Sequence, residues 1–220
     1  INVPTTLLAQ TYAAIGGKTG VDFGSFKNMV GSFAHPLAIV CDTLFLSTLP
    51  EREFKSGFAE VIKHALIYDE KFFNTLFKEN PDATGGEKLA EILAHSCKIK
   101  CDVVSKDADE KGLRKMLNFG HTIGHAIEMI SYDTSNPLLH GEAIAIGMIA
   151  EAKLSLLAGF ITHQEFESIE GIISKAGLPS KVSHSYKNTI FTKMLGDKKN
   201  EKRKTKWVLL KGIRNAIIDC

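Results

Sequence analysis

Strong charge, paired cysteines and a membrane-length apolar run are all missing from this sequence, and each absence excludes something. The formal net charge is only +2 over 220 residues, so no overall field recommends nucleic acid as a partner. The basic stretch DKKNEKRKTK, residues 197–206, reads as a solvated hairpin or loop. Four cysteines, Cys41, Cys97, Cys101 and Cys220, form no CxxC pair and no secreted-type spacing. That excludes a disulfide framework and points to reduced thiols in a cytoplasm. Cys97 and Cys101 with His95 imitate a metal-ligand cluster, but free cysteines commonly behave as small buried apolar residues. The longest apolar run, residues 143–160, carries Glu151 and Lys153. It is a buried helix, not a membrane span, and no signal peptide precedes it. There are no internal repeats and no low-complexity segments. The chain opens on Ile1, and INVPTT reads as the end of a strand entering a turn. The chain is therefore expected to be the downstream part of something longer.

What is present is a globular composition. The chain is 44% hydrophobic and 24% charged, enough for one large domain with an ample core. Residues 1–48 mix short extended pieces, residues 1–3 and 37–41, with glycine-rich turns. From Thr48 the pattern becomes helical. Thr48-Leu-Pro-Glu51 has the form of a capping box with proline in the first turn. It predicts a helix with Phe54, Phe58, Val61, Ile62 and Ala65 on one face. Further helices are predicted over residues 87–104, 112–128 and 140–158, the last stopping at Gly159. Thr162-His-Gln-Glu165 predicts another capped helix, ending at Gly177 before Pro179. Residues 207–210 and 216–218 read as short strands around Gly212.

The segment GLRKMLNFGHTIGHAIE, residues 112–128, carries the most chemistry. At about 100° per residue, a helix there places Arg114, Asn118, His121 and His125 in a stripe roughly 60° wide. Met116, Phe119, Ile123, Ile127 and Ile130 fall opposite. A helix with one apolar face usually solvates Lys and Glu on the other. This one aligns a guanidinium, a carboxamide and two imidazoles, groups that bind anions, orient substrates and ligate metals. Histidines at i and i+4 are by themselves more often surface or packing residues. A third, His140 in LLHGEA, opens the next apolar helix. Glu60, set off the apolar face of its own helix, completes a His/His/carboxylate set. Three protein ligands leave an open coordination position, the catalytic form of a zinc site, suited to polarising a substrate oxygen. His64, four residues after Glu60, is assigned to packing or to support of the ligands.

Gly16-Gly-Lys-Thr19 resembles the end of a phosphate-binding P-loop. The full pattern needs glycine at position 12, where this chain has Tyr12, so a nucleotide hydrolase is rejected. Lys18 in its glycine turn, followed by Lys27-Asn28, still offers charge and donors to phosphate or carboxylate.

Seven segments in order, VPTTLLAQ, GGKTG, KNMVG, TLPERE, GFAEVIKHALI, GLRKMLNFGHTIGHAIE and LHGEA, resemble the 3-dehydroquinate synthase family along nearly the whole chain. The resemblance implies a mainly α fold. A helical metal- and substrate-binding domain, residues 49–220, would follow a short α/β remnant of a nucleotide-binding domain, residues 1–48, with a small β element near the C-terminus. It implies zinc, or cobalt, held by Glu60, His121 and His140. It implies NAD at Thr5, Thr6, Lys18, Lys27 and the Phe45, Leu46, Ser47 and Thr48 turn. The substrate, the seven-carbon keto sugar acid phosphate DAHP, is expected to meet Lys18, Asn28, Lys100, Arg114, Asn118, His125 and Lys198 or Lys199, with Lys199 favoured. Lys63, in GFAEVIKHALI, joins this catalytic set. The reaction implied is phosphate elimination and ring closure, with NAD transiently oxidising one hydroxyl and being regenerated.

A homodimer in the cytoplasm, with no nucleic-acid or membrane partner, is expected. Tyr12 departs from the family, which usually has aspartate there. The family's glycine-rich dinucleotide loop lies upstream of VPTT and is not in this chain, so weak NAD binding by the chain alone is expected. The alternatives are a related cyclase of the deoxy-inosose type and a non-catalytic oligomerisation domain. Retention of a metal triad disfavours the second, and residues suited to a substrate carboxylate disfavour the first.

Overall fold

The computed structural model describes residues 1–23, 26–78, 86–181, 189–190 and 205–220, with the side chains of 22–29 outside the description. The architecture is mainly α. Helices α1 (Glu51–Tyr68), α2 (Glu70–Lys78), α3 (Gly86–Lys106), α4 (His121–Ser131), α5 (His140–Leu157) and α6 (His163–Lys175) enclose the core. Two small antiparallel pairs flank them: β1 (Lys18–Phe23) with β2 (Phe26–Phe33), and β3 (Leu209–Leu210) with β4 (Ala216–Ile217). The N-terminal segment is tied by a parallel bridge between Asn2 and Ile39. Among the described residues no helix is long and apolar enough to cross a membrane.

Helix α5 explains much of the packing. Ala143, Ile144, Ala145, Ile146, Met148 and Ile149 are all buried, so the helix is apolar around most of its circumference and must sit inside. Its glycines set how closely neighbours approach. A Cβ at Gly141 would overlap the Ser56 carbonyl of α1, and one at Gly147 would overlap the Gly120 carbonyl at the start of α4. Glu142 fixes the beginning of α5. It accepts from Leu139 N at 2.8 Å and takes a two-pronged contact from Arg52 at 2.7 and 2.8 Å. Helix α1 is buried without interruption from Ser56 to Ile67. Glu60 on α1 and His140 on α5 are thus carried by the two most deeply packed helices.

Three sequence expectations are corrected. Residues 112–128 are not one helix: a 3-10 turn over Leu113–Asn118 is followed by a break and then α4. Gly120 adopts φ +80°, the left-handed region that a side chain resists. The Asp107 carboxylate holds the turn by accepting from the backbone N–H of Gly112 and Arg114 at 2.8 and 2.9 Å. Apolar periodicity continues across the break because Met116, Phe119 and Ile127 all still face the core. Thr48 does not cap α1. It ends a 3-10 turn, and Pro50 occupies the cap position. Leu49, which precedes the proline, is extended at ψ 129°, the conformation proline enforces on its predecessor. Gly16 and Gly17 do turn, at φ +103° and +66°, but Lys18 is not inside that turn: it opens β1, which pairs with β2.

Other expectations agree. Thr162 caps α6 through Glu165 N at 3.2 Å, and Glu165 accepts back from Thr162 N at 2.7 Å. The helix predicted over 87–104 occupies Gly86–Lys106. Helix α2, which the sequence reading passed over, buries Phe72, Phe73 and Leu76.

Candidate metal centre

Three chain segments far apart in sequence deliver one cluster of donors. Glu60, His121 and His140 each offer an atom within 4.8 Å of the others. Glu60 Oε1 is 3.7 Å from His121 Nε2 and 3.5 Å from His140 Nε2. These separations are too long for good hydrogen bonds. Among the described residues, Glu60 Oε1 and His140 Nε2 are buried with no hydrogen-bond partner. Leaving buried polar atoms unmatched is costly, and a divalent cation between them supplies what they lack. The donors themselves, one carboxylate and two imidazoles, match a catalytic zinc or cobalt set.

The surroundings fix the imidazole orientations. His121 Nδ1 is 3.1 Å from the Phe119 carbonyl. A carbonyl only accepts, so Nδ1 carries the proton and Nε2 turns its lone pair toward Glu60. His140 Nδ1 lies 3.2 Å from Glu128 Oε2, the carboxylate support that orients many metal-binding histidines. Burial raises the Glu60 carboxyl, but the adjacent Lys63 ammonium and the two imidazoles outweigh it, and the group is held well below the usual range. Burial, with the Lys63 charge, holds His121 well below its ordinary value and therefore neutral. Burial acts the same way on His140, yet the hydrogen bond to Glu128 and the nearby negative charge of Glu60 reverse the sign and raise it. Lys63 is fully buried and forms an ion pair with Glu60 Oε2. His64 is buried with Nδ1 2.8 Å from Ser96 Oγ, away from the triad's ligand set.

The helix that brings His121 has its own anchor. Buried Glu151 of α5 accepts from the backbone N–H of Gly120 at 2.7 Å and of Thr122 at 3.2 Å. A carboxylate at a helix N-terminus satisfies orphan donors and complements the helix dipole.

Basic groups lie beside the metal donors. Lys100 Nζ is 3.8 Å from the Tyr12 ring centroid, and Lys63 Nζ is 4.4 Å from it. Burial, with the Lys63 charge, lowers the Lys100 ammonium to about 7. His125 faces His121 edge-on, with ring centroids 5.1 Å apart. Arg114 is buried and donates to the carbonyls of Gly16 at 2.9 Å and Ala108 at 2.5 Å. It thereby braces the glycine turn before Lys18. Glu110 links two of the expected substrate residues, pairing with Lys18 and accepting from Asn118 at 2.7 Å. Thr5, Thr6, Phe45, Ser47 and Thr48 are exposed, whereas Leu46 is buried. The side chains of Lys27 and Asn28, and the whole of Lys198 and Lys199, lie outside the described residues.

Four contributors went unread in the sequence. Glu128 is seven residues after His121 and so lies on the same helical stripe, a signal already contained in HTIGHAIE. Glu151 interrupts an otherwise apolar helix, and a charge in that position needs a buried partner. In the sequence Tyr12 stands out only as a departure from the family pattern, and Glu110 carries no signal.

The fold and the donor set together form a carboxylate/imidazole/imidazole candidate metal centre on a helical scaffold. A 2-epi-5-epi-valiolone synthase from Streptomyces hygroscopicus subsp. jinggangensis, solved with NAD+ and Zn2+ bound, superposes with a TM-score of 0.87 at 27% identity. That match covers 98% of this chain and 60% of the other. A 2-deoxy-scyllo-inosose synthase, solved with carbaglucose-6-phosphate, NAD+ and Co2+, gives a TM-score of 0.80 at 28% identity, covering 98% and 60%.

Residues 1–56 match the 3-dehydroquinate synthase N-terminal family and residues 57–200 its C-terminal family. The chain belongs to the 3-dehydroquinate synthase family. The 3-dehydroquinate synthase of Thermodesulfovibrio yellowstonii is 45% identical over 212 residues, 95% of this chain and 58% of that protein. That of Acidithiobacillus ferrooxidans is 44% identical over 221 residues, covering 99% and 60%. The chain thus spans about three-fifths of the length of these relatives.

Proposed function

We propose that this chain is the metal- and substrate-binding portion of a 3-dehydroquinate synthase, which converts DAHP to 3-dehydroquinate with release of phosphate in the shikimate pathway. The observation that carries the reading is the convergence of Glu60, His121 and His140 beside the buried amines Lys63 and Lys100. Glu60, His121 and His140 would hold zinc or cobalt, which would supply polarisation of a substrate hydroxyl, with NAD supplying the hydride chemistry.

The chain's own residues do the rest. Lys63 keeps Glu60 ionised and ready to ligate. Lys100, lowered to about 7, is poised to hold or release a proton near neutrality. Lys18 supplies charge for the substrate phosphate or carboxylate from the start of β1, just after a glycine turn braced by Arg114, and Asn118 and His125 orient the substrate from the other side. Thr5, Thr6, Lys18, Lys27 and the Phe45, Leu46, Ser47 and Thr48 turn serve the dinucleotide. Asn28 and Lys199 extend the anion site. Residues 1–48 then belong to the cofactor side and residues 49–220 to the metal and substrate side. The complete enzyme is a cytoplasmic homodimer that acts on a small molecule.

The test is phosphate release by the full-length protein given DAHP and NAD. Turnover supports the reading. Turnover of a carboxylate-free hexose phosphate in place of DAHP would shift it to the deoxy-inosose type, which the likeness to 2-deoxy-scyllo-inosose synthase keeps as the second candidate.

A further inference from the structure

Tyr12 has no role in the account above, yet its side chain stands inside the metal centre. Its hydroxyl is 3.2 Å from His121 Nε2, the same nitrogen that faces Glu60 Oε1 at 3.7 Å. Its ring centroid is 5.8 Å from that of His121 and 6.0 Å from that of His140. The position is held firmly. Tyr12 belongs to the helical turn Ala9–Ala13, whose neighbouring Thr11 and Gln10 are buried. Lys100 donates to the Tyr12 carbonyl and also lies against its ring, with Lys63 close by.

His121 Nδ1 is engaged with the Phe119 carbonyl, so Nε2 is the nitrogen that ligates. Without an ion, the phenol donates its hydrogen to that lone pair. An ion seated on Nε2 takes the lone pair and meets the phenolic oxygen next to it.

We propose that Tyr12 is a fourth protein donor to the ion held by Glu60, His121 and His140. The inference rests on the metal reading above. A bond forms between the ion and the phenolic oxygen, the O–H bond breaks, and the proton leaves to solvent, as ligand deprotonation on metal binding requires. A divalent ion is the largest charge in such a site and inverts the proton affinities around it. A substrate oxygen would then bind by displacing the phenol or by expanding the coordination to five, which zinc accommodates.

The test is a zinc titration of the metal-free full chain, followed by tyrosinate difference absorption and by competition with a chelator. A tyrosinate signal that saturates together with zinc is expected. The signal is expected to vanish in Tyr12→Phe, with zinc affinity reduced about 10- to 100-fold, and to persist in Tyr132→Phe. Zinc binding to the wild type without a tyrosinate signal, or a signal lost in Tyr132→Phe, overturns the proposal and leaves the triad standing. An unchanged zinc affinity in a folded Tyr12→Phe variant overturns it as well. If Tyr12→Phe fails to fold, the wild-type titration decides together with Tyr68→Phe, Tyr132→Phe and Tyr186→Phe, a signal lost in any of these three overturning the proposal. Absence of zinc binding to the wild type overturns the triad and this inference together.

Discussion

Glu151 and Gly120, 31 residues apart in sequence, are joined by a buried 2.7 Å hydrogen bond from the glycine N–H to the carboxylate. The same carboxylate reaches Thr122 N, so it sets the first turn of the helix that begins with the candidate ligand His121. Glu151→Ala strips these donors of their partner at a buried helix start. It should cost about 2–3 kcal/mol and weaken zinc binding as well. Urea denaturation checks the first effect. A loss below about 0.5 kcal/mol, the scale of an ordinary surface change, would contradict it.

Gly147 is where α5 lets α4 come close. A methyl group there overlaps the Gly120 carbonyl, which is rigid backbone. Gly147→Ala should destabilise by about 1–3 kcal/mol, read as a shifted denaturation midpoint. A variant as stable as wild type would show that the helices part without cost.

Phe119 and His121 are near neighbours with opposite expected behaviour. The Phe119 ring is fully buried, so Phe119→Ala should cost about 3–5 kcal/mol. His121→Ala should abolish zinc binding and leave the far-ultraviolet circular dichroism unchanged. Collapse of the His121→Ala fold would assign that imidazole to the core.

Glu128 supports His140 through Nδ1 at 3.2 Å. Glu128→Gln keeps the shape and weakens the acceptor. Chelator competition should find zinc held about 10- to 100-fold more weakly, with helicity intact. Equal affinity would mean that the contact does not orient the ligand.

Burial, with the Lys63 charge, depresses Lys100 in the folded chain to about 7, against the ordinary lysine value of 10.5. Between those values the unfolded state binds the extra proton, so stability contributed at this site rises with pH across the window and is lowest below it. Lysine side-chain carbon NMR should resolve one titration near neutrality that disappears in Lys100→Met. A Lys100 that titrates above 10 would remove it from proton handling.

The parts of this fold that were legible in the sequence are those that local chemistry dictates. The α6 cap Thr162–Glu165, the stop at Gly159 and the strands around Gly212 each rest on residues adjacent in the chain. His121 stands out as one of two imidazoles sharing a helical stripe, whereas Glu60, read as lying off the apolar face, is fully buried beside His121 and His140. What escaped depended on distant partners. The break at Gly120 keeps the apolar period on both sides, so periodicity alone reads through it, and Glu151, which stabilises the new helix start, lies on another element. Glu110 gains its place only when Lys18 and Asn118 arrive beside it. Tyr12 could be recognised as unexpected, but only the folded chain brings its hydroxyl to His121.

Metal content of the purified chain after equilibrium dialysis against zinc tests the shared-ion claim most directly, with Glu60→Ala alongside. The expectation is about one zinc ion per wild-type chain and none retained by the variant. A natively helical wild-type chain that holds no zinc, or a Glu60→Ala chain that holds as much as wild type, would contradict it.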